Sequence, residues 1–235
     1  MTALVTGASR GIGRALAGAL AARGADVVLT GRSLDRLREA AAGFADHDGK
    51  AHCMELDLAD PGDVERFARD YEREIGKLDA LIHCAAVYQT GAWAEATADD
   101  LDAHYRTNVR GAYALTQKML PSLIAAGGDV VFMNSSVVDA TGAGIGQYAA
   151  TKHALIGLAN SLRAEVNEHG VRVLSVFPGR TATPLQEAIH KGEGKAYRPE
   201  KLLQPGDVAD VVLACLSLPD TAEVTELHIR PRQKY

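Results

Sequence analysis

Short apolar segments alternate with longer segments of helical periodicity along the whole 235-residue chain. Several of the apolar segments are unbroken runs, as expected where helices cover both faces of a sheet. This alternation predicts parallel strands joined by right-handed crossovers. The sequence therefore predicts one α/β domain over residues 1–235, a doubly wound parallel sheet of about seven strands with helices on both faces. The predicted strands are 3–6, 26–30, 51–56, 80–84, 129–134, 171–177 and 224–229.

Composition and charge narrow the class of protein. The chain is 47% hydrophobic and 23% charged, which is ordinary for a soluble globular domain. A formal net charge of -5 argues against nucleic acid or an anionic membrane as the main partner. No apolar run approaches the roughly 20 residues of a membrane span, and no basic segment marks a secretory signal. The cysteines and histidines lack metal-ligand spacing. We expect a cytoplasmic protein with reduced thiols and no metal.

A glycine-rich turn, Thr-Gly-Ala-Ser-Arg-Gly-Ile-Gly at 6–13, joins the first predicted strand to a helical segment. Glycines there let the backbone approach a pyrophosphate, and the helix N-terminus offers free N–H groups and partial positive charge. The spacing is G-x-x-x-G-x-G rather than G-x-G-x-x-G, and a purely structural turn is the alternative. The strand-to-helix context favours a Rossmann-type dinucleotide site. The predicted cofactor-binding residues of the turn are Gly7, Ser9, Arg10, Gly11, Ile12 and Gly13.

The end of the second predicted strand distinguishes between the two nicotinamide dinucleotides. An NAD site usually places a carboxylate there for the ribose 2′-hydroxyl. This chain has Thr-Gly-Arg-Ser at 30–33, with no carboxylate. The Arg32 guanidinium is suited to pair with a 2′-phosphate, and Arg10 adds a second cation nearby. The two arginines and the missing acid together predict NADP(H) as the cofactor.

Tyr148 and Lys152 are four residues apart at the start of a long helical segment. Positions i and i+4 share a helix face, so the phenol and the ammonium are expected to meet. A free tyrosine has a pKa near 10 and exchanges protons slowly at neutral pH. A nearby cation is expected to lower that pKa by roughly 1–3 units in a partly buried site. The pair is therefore a candidate general acid/base, although an exposed helix pair has the same spacing.

The order and spacing of these motifs resemble the short-chain dehydrogenase/reductase family over nearly the whole chain. The resemblance implies that Asp57 and Leu58, after the third strand, contact the adenine. Cys84 and Ala85 lie where the family usually has Asn-Asn-Ala-Gly, here His-Cys-Ala-Ala at 83–86, and they are expected to border the adenosine. The segment 178–183 resembles the one that holds the nicotinamide end, through Pro178, Gly179, Thr181 and Thr183.

The resemblance also assigns catalytic roles. Asn108 matches the asparagine that helps to hold a proton-relay water, and Tyr148 and Lys152 match the acid/base tyrosine and its lysine. Asn108, Tyr148 and Lys152 are expected to contact the cofactor as well. Ser136 is taken as the substrate-orienting serine, an oxyanion stabiliser. It lies twelve residues before Tyr148, where thirteen is more usual, so Ser135 is a minor candidate for this role.

The predicted activity is interconversion of a carbonyl and a secondary alcohol with NADP(H). The alternatives are a reductase of 3-oxoacyl chains on a carrier protein and a catalytically silent NADP(H)-binding regulator. A glycine- and charge-rich segment at 178–205 is expected to cover the site as a mobile lid. The substrate-lining candidates are Val87, Tyr88, Trp93, Val138, Asp139, Ala140, Gly142 and residues 183–203.

The chain is expected to form a homodimer or a homotetramer. The predicted helix 149–168 carries apolar residues on more than one side, which suits both core packing and self-association. The last strand lacks the Asp-Gly-Gly that often follows it in the family, so the resemblance does not distinguish between the two assemblies.

Overall fold

The computed structural model describes residues 1–44, 46–47 and 49–233, and it confirms the predicted sheet. Seven parallel strands lie in the order β3-β2-β1-β4-β5-β6-β7. Each predicted strand is present, with ends that differ by one or two residues. The strands are β1 Thr2–Thr6, β2 Asp26–Gly31, β3 Ala51–Glu55, β4 Ala80–His83, β5 Asp129–Met133, β6 Arg172–Pro178 and β7 Glu226–Ile229.

Helices connect the strands and cover both faces of the sheet. A π-helical turn at Arg106–Gly111 joins α4 to α5, and short 3-10 turns lie at Ser136–Val138, Asn167–His169 and Pro199–Lys201. The α-helices are α1 Gly11–Ala21, α2 Leu34–Ala42, α3 Pro61–Glu74, α4 Ala98–Tyr105, α5 Ala112–Ala126, α6 Gly146–Val166, α7 Pro184–Gly192 and α8 Pro205–Leu216.

The core consists of two apolar layers, one on each face of the sheet. Alternate residues of a strand point to opposite faces, so Ala3 and Val5 pack against α1 and α8, whereas Leu4 belongs to the layer under α3, α5 and α6. Because both faces of the central strands are covered, β1 and β4 are wholly buried. This explains the unbroken apolar runs in the sequence.

The strand order reverses between β1 and β4, since β2 lies on one side of β1 and β5 on the far side of β4. In such sheets the crevice for a ligand opens outside the carboxyl ends of the strands at this reversal. The glycine turn after β1, the segment after β4 and the lid after β6 all begin at that edge. The topology therefore brings together segments that are far apart in sequence.

The lid is more regular than the sequence prediction. Residues 184–192 form α7, which the prediction treated as irregular. Thr183 caps this helix by accepting a hydrogen bond from the Gln186 amide (3.2 Å), and Pro184 occupies its first turn. The Thr-Pro pair is thus the signal for the helix that the sequence interpretation missed. A parallel bridge between Thr181 and Leu203 joins the two ends of the lid.

Candidate active site

Glycine is required at two positions of the turn after β1. Gly7 has φ +65°, and a Cβ there would lie 2.9 Å from the Ala85 backbone. A Cβ at Gly13 would lie 2.5 Å from the Gly7 carbonyl oxygen. Thr6 fastens the turn to the segment after β4, because its hydroxyl accepts hydrogen bonds from the Cys84 and Ala85 amides (3.0 and 3.1 Å). The backbone is therefore shaped and held for a close approach by a ligand.

This turn forms one wall of a cleft of about 1140 Å³ that is open to solvent. The predicted cofactor residues that line it are Gly7, Ser9, Arg10, Gly11, Ile12, Gly13, Arg32, Asp57, Leu58, Cys84, Ala85 and Thr183. It is also lined by residues that were not predicted to bind the cofactor, namely Thr6, Thr30, Gly31, Leu56, Ala86, Thr107 and Met133, and by the substrate-lining candidates Val87, Pro184 and Leu185. The remaining predicted residues do not line it: Asn108, Tyr148, Lys152, Pro178, Gly179 and Thr181.

Two cations border the cleft where an adenosine ribose would lie. Arg10 and Arg32 are both exposed, and neither forms an ion pair with a carboxylate in the described part of the chain. The β2 end carries no acid: after Arg32 comes Ser33, which caps α2 with its hydroxyl. These residues fit a dinucleotide with an additional phosphate, because the guanidinium of Arg32 has no competing acid at that strand end.

Asn108 lies in the π-helical turn between α4 and α5 and is buried. Its side chain accepts a hydrogen bond from the Val87 amide (2.8 Å) and donates to the Val87 carbonyl (3.0 Å) and the Thr151 hydroxyl (3.1 Å). Thr151 in turn donates to the Tyr148 carbonyl (2.7 Å). Asn108 therefore connects the segment after β4 to the first turns of α6. Single π-turns inside helices are frequent at functional sites.

Tyr148 is nearly buried at the start of α6, with 9% of its surface exposed. Burial raises its pKa to about 12, hydrogen bonding with the Ser135 hydroxyl opposes that rise, and the neighbouring Tyr88 adds to it. The expectation that Lys152 lowers this pKa is wrong for this structure. Desolvation of the phenolate outweighs the Ser135 hydrogen bond, and Lys152 is not among the causes of the shift. Tyr148 therefore holds its proton throughout the neutral range.

Lys152 lies beside Tyr148 on the same face of α6, with its Nζ 5.6 Å from the centre of the tyrosine ring. The Nζ donates a hydrogen bond to the Met133 carbonyl at the end of β5 (2.8 Å). Burial lowers the pKa of Lys152 to about 8, and Cys84 opposes that shift. Tyr148 and Lys152 thus form the expected i, i+4 pair, and both side chains are buried.

Ser135 is the serine whose hydroxyl acts on the pKa of Tyr148. The Ser135 hydroxyl hydrogen-bonds with Tyr148 and also accepts from the Val137 amide (3.2 Å), which leaves its own proton available to donate. Ser136 is the first residue of the following 3-10 turn. Both serines follow closely on β5, which ends at Met133, so the choice of Ser136 with Ser135 as the minor candidate stays a prediction.

His83, where the family usually has asparagine, is buried at the end of β4. Its Nε2 lies 2.8 Å from the Thr116 hydroxyl. Because that hydroxyl donates to the Ala112 carbonyl (2.9 Å), it accepts from His83, which places the histidine proton on Nε2. The ring stacks on Phe132 (5.0 Å), and no described residue hydrogen-bonds to its Nδ1. Burial, with a further contribution from the charge of Lys152, lowers the pKa of His83 to about 3.

We predict that His83 makes the protein acid-sensitive. Its folded-state pKa lies below the unfolded value of 6.5, so the unfolded chain takes up the proton first as the pH falls. Relative to His83→Gln, the wild type should lose up to about 3 kcal/mol of unfolding free energy between pH 6.5 and about 4. Denaturant titrations across this range measure the loss, with His169→Gln on the surface as the control. Parallel curves for wild type and His83→Gln would contradict the prediction.

A second cavity of about 1500 Å³, also open to solvent, lies between the start of α6 and the lid. Tyr88 lines it and meets the Tyr148 ring edge-on at 5.0 Å, so one residue of the cavity wall contacts Tyr148. Trp93 is 92% exposed, and Val87 lines the first cleft instead. The other predicted residues outside the lid, Val138, Asp139, Ala140 and Gly142, do not line this cavity. The lid contributes Leu185, Ala188, Ile189, Gly192 and Glu193.

Two further classes of site are not found in the described part of the chain. No helix there is long and apolar enough to cross a bilayer. Among the same residues, no group of three or more potential ligands is placed to hold a metal ion.

Comparison with known proteins identifies relatives over the whole chain. The sequence profile of a family described as short chain dehydrogenase matches residues 1–194. An uncharacterised oxidoreductase of Staphylococcus haemolyticus is 30% identical, over 97% of this chain and 96% of its own length. Glycine betaine reductase of Emericella nidulans is 33% identical over 99% of this chain, which spans 19% of that relative. An alcohol dehydrogenase from the archaeon Thermococcus sibiricus, complexed with 5-hydroxy-NADP, is 29% identical with a TM-score of 0.87, over 100% of this chain and 99% of its own.

Proposed function

The chain belongs to the short-chain dehydrogenase family, and we propose that it is an NADP(H)-dependent oxidoreductase interconverting a carbonyl and a secondary alcohol. The observation that carries this proposal is the cluster that Tyr148 and Lys152 of α6 form with Ser135. A buried phenol with a pKa of about 12 is a proton donor at neutral pH. A hydroxyl beside it supplies a second hydrogen bond to the same substrate oxygen.

NADP(H) is the cofactor that the cleft residues suit. The backbone of the turn at Gly7, Gly11 and Gly13 would hold the pyrophosphate, and Arg32 with Arg10 the 2′-phosphate. By family resemblance, Asp57 and Leu58 would contact the adenine. The same resemblance implies that the nicotinamide end is held by Pro178, Gly179, Thr181 and Thr183. The nicotinamide, when bound, supplies or accepts the hydride. The relative solved with 5-hydroxy-NADP supports this assignment.

The chain's own residues handle the proton and orient the substrate. In the reduction direction, Tyr148 donates its phenol proton to the oxygen of the carbonyl as charge develops there. Ser135 donates a hydrogen bond to the same oxygen and so stabilises that charge. Lys152, whose Nζ lies 5.6 Å from the centre of the Tyr148 ring, would hold the nicotinamide ribose by family resemblance. Asn108 holds α6 against the segment after β4 and, by family resemblance, a relay water.

We predict that Ser135 and Ser136 respond differently to substitution. Ser135→Ala should lower kcat by about 10²- to 10³-fold, because it removes a hydrogen-bond donor aimed at the developing oxyanion. Ser136→Ala, one residue further along the chain, serves as the matched control and should change kcat far less. Steady-state kinetics on one ketone compare the two variants. A larger loss in Ser136→Ala would return the role to Ser136.

The first test of the proposed function is NADPH consumption at 340 nm across ketones, diketones, quinones and β-ketoesters, with NADPH binding measured in parallel. Turnover of any of these carbonyls by the wild type supports the proposal. Binding of NADPH without turnover of any carbonyl would favour the regulator, and absence of both would remove the cofactor assignment as well.

We further propose a single-domain cytoplasmic enzyme that assembles as a homodimer or a homotetramer. On α6, Leu155 and Ala159 are buried in the core, whereas His153, Gly157 and Asn160 face outward. The outward stripe of α6 thus carries small and polar side chains, so the proposed assembly rests on the family resemblance and not on an apolar face of this helix.

A further inference from the structure

Arg180 is a cation of the lid region that the proposed chemistry does not use. It lies two residues after β6, between Gly179 and Thr181 of the segment given to the nicotinamide end. Its carbonyl accepts a hydrogen bond from the Leu203 amide (3.1 Å), which fixes the backbone at this point. The backbone of Arg180 is thereby held at the edge formed by the carboxyl ends of the strands.

Two lid residues contact the Arg180 guanidinium. One nitrogen, Nη2, donates to both carboxylate oxygens of Glu193 (3.0 and 3.1 Å). The other, Nη1, lies 3.3 Å from Nε2 of His190, which is completely buried. His190 donates from Nδ1 to the Gln186 carbonyl (2.8 Å), so its Nε2 is an acceptor for Arg180. The guanidinium is thus oriented on one side by a buried ring and occupied on the other by a carboxylate.

Glu193, the carboxylate of this ion pair, borders the second cavity. Glu193 lines the cavity together with Tyr88 and with Gln147, the residue before Tyr148. The charges of Arg180 and Glu193 both act on the Tyr88 phenol, whose ring is 5.0 Å from that of Tyr148. The cavity is therefore lined both by Tyr88, whose ring contacts that of Tyr148, and by the carboxylate that Arg180 binds.

Glu193 has a second cationic partner. Its carboxylate lies 2.8 Å from Lys195, and the Lys195 hydrogen bond is the largest cause that lowers the pKa of Glu193. If another carboxylate displaced Glu193 from Arg180, Glu193 would keep this partner and would not be left as an unpaired charge. The exchange replaces one charge-assisted contact of Arg180 with another of the same kind.

We propose that Arg180 is the anchor for a carboxylate on the substrate and that Glu193 occupies this anchor until the substrate displaces it. The inference rests on the proposed function, because it names the class of substrate for the same site: carbonyl compounds that carry a carboxylate at their far end. Arg180 is well suited to this role, since a guanidinium presents several donors to the two oxygens of a carboxylate.

The test compares 4-oxopentanoate with its methyl ester, which differs only in lacking the negative charge. The wild type should show a higher kcat/KM for the acid than for the ester. Arg180→Gln should lower the acid-to-ester ratio by about 10- to 100-fold, mainly through KM for the acid. Glu193→Gln should lower KM for the acid, because it removes the competing carboxylate. Lys191→Gln, an exposed lid lysine, is the matched control and should keep the wild-type ratio.

Three results would overturn the inference: a wild-type ratio near one, an equal loss for acid and ester in Arg180→Gln, or a preference for an amino ketone of the same length. The last would mean that acidic cavity residues such as Glu95 set the specificity. Failure of the proposed function is distinguished by calorimetric titration of the NADP-loaded protein with 4-oxopentanoate. If 4-oxopentanoate binds in a way that depends on Arg180 but is not turned over, the anchor stands and the proposed reaction does not. If it neither binds nor turns over, both proposals fail.

Discussion

Tyr148→Phe should lower kcat for carbonyl reduction by about 10²- to 10⁴-fold while leaving NADPH binding intact. The substitution removes the phenol hydroxyl and keeps the ring, which meets Tyr88 edge-on at 5.0 Å. The cofactor cleft is lined by other residues, so its shape should not change. Steady-state kinetics give kcat, and fluorescence titration gives the dissociation constant for NADPH.

The raised pKa gives this prediction a second readout. With a pKa of about 12, the phenol stays protonated as the pH rises through the neutral range, so reduction should not lose its acid there. A fall in kcat/KM that follows deprotonation of a tyrosine near pH 7 would contradict this. Tyr113→Phe, a half-exposed tyrosine on α5, is the matched control and should retain wild-type kinetics. Wild-type kcat in Tyr148→Phe would remove the proposed proton donor.

The fold was predictable because its signals are local. Continuous apolar runs indicate strands covered on both faces. The glycine turn after β1 indicates which edge of the sheet binds the dinucleotide. α7 was also predictable in principle from Thr183 and Pro184, which cap and start it. It was missed because the glycines and mixed charges that follow dominate the composition of the segment.

The details of the site depend on the tertiary structure. The sign of the Tyr148 pKa shift is set by burial, and the depth of a residue is not visible in an i, i+4 spacing. The choice between Ser135 and Ser136 depends on where β5 ends, and strand ends are among the least determined features of a sequence. The ion pair of Arg180 with Glu193 depends on how the lid folds back, which residue spacing alone does not give.

Arg32→Asp should reduce the preference for NADPH over NADH by about 10²- to 10³-fold. Loss of a charge-assisted contact with the 2′-phosphate costs about 1.5–3 kcal/mol. The new carboxylate would also repel the phosphate, and each 1.4 kcal/mol corresponds to a factor of ten. The same carboxylate can accept a hydrogen bond from the 2′-hydroxyl of NADH, so part of the change should be a gain for NADH. The measurement is kcat/KM for both cofactors with one ketone.

The control for Arg32→Asp must distinguish the loss of a contact with the 2′-phosphate from the change in net charge. Arg38→Asp makes the same change of two charge units on α2 but lies outside the cleft lining, so it should leave the cofactor preference near that of the wild type. Equal effects of the two variants would mean that the field of the surface, rather than a contact, sets the preference. If neither variant changed the preference for NADPH, Arg10 would be assigned the contact with the 2′-phosphate. Arg10→Ala should then lower the preference for NADPH. Because Arg10 also belongs to the glycine turn, Arg10→Ala would weaken the binding of both cofactors, and that of NADPH more, whereas loss of the Arg32 contact weakens only the binding of the cofactor with the extra phosphate.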